Sequence, residues 1–133
     1  MGTLTSKSKR VKLKNYVSWF EIPALNLKRA VAFYNQIYGI EMESVELNNY
    51  SMAFFPAQNG IGGAIVAGPG SVPSETGTLV YLNAGNNLDT VLNRIEEAGG
   101  RIVMSKTLIN DDQGYFALFI DTEGNKLALH SKN

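Results

Sequence analysis

The chain contains no cysteine and a single histidine in 133 residues. Without thiols there is neither a disulfide framework nor a thiolate nucleophile, and one histidine would have to serve every imidazole role. No apolar run approaches the roughly 18 residues that cross a bilayer. The first residues lack the apolar core of a secretory leader, so a cytoplasmic protein with no membrane contact is expected. No acidic residue occurs from Phe55 to Ser74. The glycine-rich stretch "NGIGGAIVAGPGSVPSETG" there has neither P-loop spacing nor the terminal lysine and hydroxyl pair of a phosphate cradle. No nucleophile-elbow pattern is present.

Charge is balanced in number but not in place. Lys7, Lys9, Arg10, Lys12 and Lys14 are five of the twelve basic residues, and from Asn15 onward seven basic face twelve acidic residues, a net charge of −5. No aromatic side chain is interleaved with the lysines, and an acidic body repels phosphate, so nucleic acid is not an expected partner. Residues 1–14 read as a flexible, solubilising tail, and residues 15–133 as one domain.

That domain repeats itself. "NLKRAVAFYNQIYG" (Asn26 to Gly39) and "NLDTVLNRIEEAGG" (Asn87 to Gly100) are offset by 61 residues. Each opens on asparagine, a preferred N-cap, and closes on glycine, the usual left-handed C-cap. Apolar residues recur at helical spacing between them: Leu27, Ala30, Val31, Tyr34 and Ile37, then Leu88, Val91, Leu92, Ile95 and Ala98. The spacing predicts two amphipathic helices of about three turns. One strand-like segment precedes each helix and three follow it. The expected fold class is α+β: two tandem βαβββ modules, residues 15–68 and 77–131 joined by a linker at 69–76, pairing into a curved mixed β-sheet groove with helices on the outside.

Alternation along the strands assigns faces. Trp19 and Glu21 share one face of the first strand; Ala128 and His130 share one face of the last, opposite Leu127 and Leu129. Glu21 is a candidate general base or cation anchor, or else a structural partner of Arg29, Arg101 or Lys106. His130 is a candidate acid or base, or else a rim residue near the chain's end. Trp19, Met52, Phe54, Tyr115 and Phe119 could form an aromatic, polarizable lining for a flat, apolar or cationic molecule, or could be core.

Three stretches, "VSWFEIPALNLKRAVAFYNQIYGIE", Ala98-Gly99-Gly100 and "GYFALFIDTEGNKLALH", resemble the vicinal oxygen chelate superfamily, the glyoxalase, bleomycin-resistance and extradiol-dioxygenase group. The resemblance implies a groove in which metal enzymes hold a divalent cation through the first and last strands of each module. In this sequence those positions fall on Trp19, on Val80 (or Thr78) and on Ala128, with the fourth at the end of the fourth strand, where no acid exists. The resemblance therefore implies no metal ligands and no cofactor, unless a divalent metal site is rebuilt around Glu21 and His130. It implies a homodimer that binds a small molecule; joined to the reading of the strand faces, the expected ligand is apolar, aromatic or cationic and the expected ligand-binding positions are Trp19, Met52, Phe54, Val80, Tyr115, Phe119 and Ala128. The alternatives are a glyoxalase- or dioxygenase-like enzyme relying on Glu21 and His130, and a ligand-sensing regulatory module.

Overall fold

The computed structural model describes residues 10–133, so most of the basic tail lies outside the described residues. Module one runs β1 (Trp19–Ala24), α1 (Leu27–Tyr38), β2 (Glu43–Leu47), β3 (Tyr50–Phe54) and β4 (Gly62–Ala67). Module two runs β5 (Tyr81–Asn83), α2 (Leu88–Leu92), β6 (Arg101–Asn110), β7 (Gly114–Ile120) and β8 (Lys126–Ser131). Both have the βαβββ order. Each forms a four-stranded mixed sheet, β1-β4-β3-β2 in the first and β5-β8-β7-β6 in the second. In each, the strand before the helix pairs in parallel with the last strand, and the other pairings are antiparallel. The two sheets are not hydrogen-bonded to one another, so β1 and β5 are both edge strands.

The caps work as the sequence suggests. Asn26 Oδ1 accepts from the Arg29 amide at 3.1 Å, and Asn87 Oδ1 from the Asp89 amide at 2.8 Å. Gly39 ends α1 at φ 65°, a left-handed conformation that costs glycine little. Between the caps of α1, Ala30, Phe33, Tyr34 and Ile37 are buried on one stripe. Regular α2 is shorter than the predicted three turns. After Leu92 the backbone tightens into i→i+3 bonds, Arg94 to Val91 and Ile95 to Leu92, around Asn93, a residue whose side chain competes with helix hydrogen bonds. The apolar stripe survives the change: Leu88, Val91, Leu92 and Ile95 are all buried.

Both helices and the inner faces of both sheets share one core. Ile22, Phe33, Tyr34, Ile37 and Ile65 of module one pack with Leu82, Leu88, Ala117, Phe119, Leu127 and Leu129 of module two. The Phe33 and Phe119 rings lie 6.1 Å apart across the module boundary.

Polar groups reinforce that boundary. The β7–β8 turn, Asp121 to Asn125, is buried at Asp121, Glu123 and Asn125. Asp121 accepts from the Glu123 and Asn125 amides, which shapes the turn, and from the Tyr34 hydroxyl of α1 at 2.8 Å. Glu123 accepts from the Leu25 and Asn26 amides at 2.9 and 2.8 Å and from Arg29 Nε at 2.7 Å. Asn125 donates to the Pro23 carbonyl at 2.7 Å and accepts from the Ser74 amide. A carboxylate thus sits at the N-terminus of α1, where unpaired amides and the helix dipole favour negative charge. Burial alone would raise the Glu123 pKa; hydrogen bonds from Arg29, the Asn26 amide and Thr122, with the Arg29 charge, outweigh it and hold the carboxyl below the usual range. The Tyr34 phenol is pushed well above its ordinary value by burial and by Asp121. It stays a neutral donor.

Glu123→Gln should lower the unfolding free energy in urea at pH 7 by about 1–3 kcal/mol, the cost of leaving buried donors without a charged acceptor. A carboxyl whose folded pKa is lowered stabilises fully above its unfolded value of about 4.3, and that stability is lost as pH falls through the folded value. The difference between parent and variant should therefore narrow in acid; a difference unchanged at about pH 3 would show that the Glu123 charge plays no part.

Candidate ligand-binding face

Each sheet has one face on the shared core and one turned away from it. On β1, Phe20, Ile22 and Ala24 point inward, while Trp19 is 46% exposed and Glu21 is exposed on the outer face. Met52 and Phe54 of β3 share that outer face, since their neighbours Ala53 and Phe55 are buried or packed against the core. The Trp19 and Phe54 rings stand 6.2 Å apart at 55°. Between these strands lies β4, which presents Gly62 opposite Trp19 and Ala64 opposite Glu21 and Phe54. A Cβ on Gly62 would come within 3.1 Å of the indole, so glycine there gives the indole room to lie against β4. Ala64, fully buried, forms the floor.

The outer face of the second sheet follows the same plan. Ala128 is fully buried and lies between Tyr81 of β5 and Leu118 of β7 in register. Tyr81, 52% exposed, stands 6.3 Å from Phe116 at 52°. Ala128 takes the place in module two that Ala64 takes in module one. His130 lies beside Ala128 on this face, opposite Phe116. Its Nε2 lies 2.6 Å from the Gln113 carbonyl, so Nε2 carries the proton and donates.

Three residues expected in the lining are elsewhere. Phe119 is fully buried against α1 and pairs with Leu127, a core residue, so it faces the helices. Tyr115, four residues earlier, shares that inner face, and Lys106 Nζ lies 4.8 Å from its ring centroid. Val80 also packs against the core. The Val80 assignment used the helix offset of 61, but the strands repeat at 60: Phe20, Ile22 and Ala24 match Val80, Leu82 and Ala84 in pointing inward. One extra residue separates the β5 segment from its helix cap. A one-residue slip turns a side chain to the opposite face, and it is Tyr81 that points outward. Tyr81, Phe116, Leu118 and Ala64 were missed. Counting alternate positions back from the apolar Leu127 and Leu129, and across the sheet, would have found the three in module two.

Glu21 makes no ion pair among the described residues. Arg29 belongs to Glu123, and Lys106 lies 3.3 Å from Asp89. Glu21 instead accepts from the Trp19 indole at 3.3 Å. It is an exposed carboxylate beside an aromatic pair, suited to a cationic group.

The donor set does not fit a divalent cation. On the first and last strands of each module the outward positions include Trp19, Ala64, Tyr81 and Ala128, an indole, a methyl group, a phenol and a second methyl group, and only Glu21 and His130 there offer a carboxylate or an imidazole. Glu21 and His130 stand on different sheets, and among the described residues no three histidine, cysteine or acidic side chains come together. Carboxylate or imidazole oxygens and nitrogens in number are what such ions require.

The family described as Glyoxalase/Bleomycin resistance protein/Dioxygenase superfamily matches residues 16–129. No curated protein matches the chain. A glyoxalase I variant from Zea mays is similar in structure, with a TM-score of 0.69 at 16% identity over 93% of this chain and 48% of its own, so the chain spans about half the maize enzyme. A glyoxylase/bleomycin resistance protein/dioxygenase domain from Frankia sp. EAN1pec gives a TM-score of 0.67 at 14% identity over 92% of this chain and all of its own. TnmS3, an antibiotic binding protein from Streptomyces sp. CB03234, gives 0.60 at 18% identity over 92% and 100%. At these identities the likeness is one of fold.

After dialysis against zinc, nickel, manganese or iron and removal of loose ions, elemental analysis should find well under one ion per chain. One tightly held ion per chain, lost in Glu21→Gln or His130→Ala, would overturn the reading of the donor set.

Proposed function

The chain belongs to the glyoxalase/bleomycin resistance protein/dioxygenase superfamily, and we propose that within it this protein is a small-molecule binder that works without a metal. The observation that carries the reading is the pair of aromatic faces, Trp19 with Phe54 and Tyr81 with Phe116, each beside a buried alanine. Ring faces over a small-residue floor hold flat, apolar or cationic groups, whereas the hard donors of a metal enzyme are not assembled there. Glu21 at the edge of the first pair selects positive charge. His130 on the second face is engaged by a carbonyl, which favours a positioning or hydrogen-bonding role over acid–base chemistry.

The working form is a homodimer. Every charged residue within the strands of the first sheet is acidic (Glu21, Glu43, Glu46), and every one within the second is basic (Arg101, Lys106, Lys126). Glu21 and Glu43 lie on the outer face with Val45 exposed among the aromatics; Arg101, Lys126 and exposed Met104 share the other. Opposite signs steer and register association, and large exposed apolar side chains on both faces mark an interaction surface. The first face of one copy against the second face of another satisfies both, and would place two aromatic pairs around one ligand.

Titration with aromatic, cationic and thioester compounds should change Trp19 fluorescence for at least one class, and Trp19→Ala should weaken that ligand by about tenfold or more, roughly 1.4 kcal/mol. No response across the panel would count against a binding role on this face. For the dimer, reversing both acids, Glu21→Lys with Glu43→Lys, should shift sedimentation at micromolar concentration toward monomer; an unchanged dimer would remove charge complementarity from the account.

A further inference from the structure

The edge strands β1 and β5 do not pair with each other, and a cleft of about 910 Å³ lies between them. That is within the roughly 300–1,000 Å³ of drug-sized ligand sites. Its walls are built mainly from the side of the strands opposite the face described above, with Tyr81 at the edge where the cleft meets the second outer face. Phe20 follows Trp19 and Phe55 follows Phe54, so the Phe20 and Phe55 rings, 5.5 Å apart, form a second aromatic pair behind the first. Gly63 makes room for it, since a Cβ there would fall within 2.3 Å of the Phe20 ring. Val80 and Leu82 of module two supply the facing aliphatic wall. The Tyr38 hydroxyl donates to the Asn83 carbonyl at 2.8 Å, joining the modules within the lining; burial pushes that phenol well above its usual range, so it stays a neutral donor.

Among the described residues, none of those lining the cleft carries a charge, although 18% of the chain does. An ionised ligand would lose its hydration there with no counter-charge in return. The polar groups available are neutral: Gln58, Thr78 and Asn83 in the lining, and the main-chain groups on the unpaired outer edges of β1 and β5. Aromatic and aliphatic walls with a few neutral hydrogen-bonding groups define one chemical class.

We infer that the cleft between β1 and β5 is a second binding site, meeting the outer faces only at Tyr81, for an uncharged, flat apolar molecule bearing one or two carbonyl or hydroxyl groups. The aromatic pair stacks against the ring system, and the neutral edge groups meet its oxygens. This inference does not depend on the reading of the outer faces.

Nile red, an uncharged flat dye whose emission reports apolar surroundings, tests it on the full chain. Saturable binding of one dye per chain with blue-shifted emission is expected, not displaced by the anionic dye ANS. Ile61→Asp and Thr78→Asp each place a charge in the lining at an exposed position, and either should weaken the dye at least tenfold with the far-UV spectrum unchanged. Val72→Asp, which adds the same charge at an exposed apolar residue outside the cleft, should leave binding as it was. Binding that never saturates, or that both lining variants retain, would overturn the site. So would loss in Trp19→Ala with full binding in both lining variants, which would put the dye on the outer face while leaving the proposed function standing.

Discussion

The Asp121–Asn125 turn is the interaction on which the arrangement of the two modules depends. It belongs to module two, yet its buried side chains hold module one at the Pro23 carbonyl, the Leu25 and Asn26 amides, Arg29 and Tyr34. A β-hairpin turn normally faces water. This one is buried because its acceptors exchange water for the unpaired amides at a helix N-terminus, an exchange that succeeds only when every polar atom is matched. Among the described residues no buried side-chain nitrogen or oxygen is left without a partner. The match sets where α1 lies against the second sheet, and with it the Phe33 and Phe119 contact and the spacing of the β1 and β5 edges.

From that spacing comes the division of labour on β1 and β3. Trp19 and Phe54 point away from the core and Phe20 and Phe55 toward the cleft, so adjacent residues of the same two strands build two aromatic surfaces of different character. One carries Glu21 and stands beside acidic strands. The other has no charge among the described residues. Strand alternation produces such a pair at little cost in sequence, because a single dipeptide supplies both faces. The glycines on β4 complete the design: Gly62 gives the indole room and Gly63 the Phe20 ring.

Family membership sets expectations for chemistry that this chain's own side chains do not meet. The scaffold is shared with glyoxalase I from maize and with an antibiotic binding protein from Streptomyces, and a fold that serves both kinds of protein says little about which one a new member is. The outer faces here carry mostly carbon and aromatic rings, and their carboxylate and imidazole, Glu21 and His130, stand on different sheets.

The repeat, the caps, the apolar stripes and the βαβββ order were legible in the residues themselves, because each is a local pattern: a cap acts within one turn, and a helix stripe within three. The outward placement of Trp19, Glu21, Ala128 and His130 was equally legible, since alternation is local once a strand is recognised; for Met52 and Phe54 alternation gave a shared face but not which way it points. Tyr115, Phe119 and Val80 were misplaced because their faces depend on register between strands far apart in sequence, and one extra residue before the α2 cap reverses the result. The partners of Glu123 and Arg29, the cleft between two unpaired edges and the separation of Glu21 from His130 could not be read at all. Those depend on how two modules, each complete in its own hydrogen bonding, come to rest against each other, and that is decided by side chains about 95 residues apart meeting in a shared core.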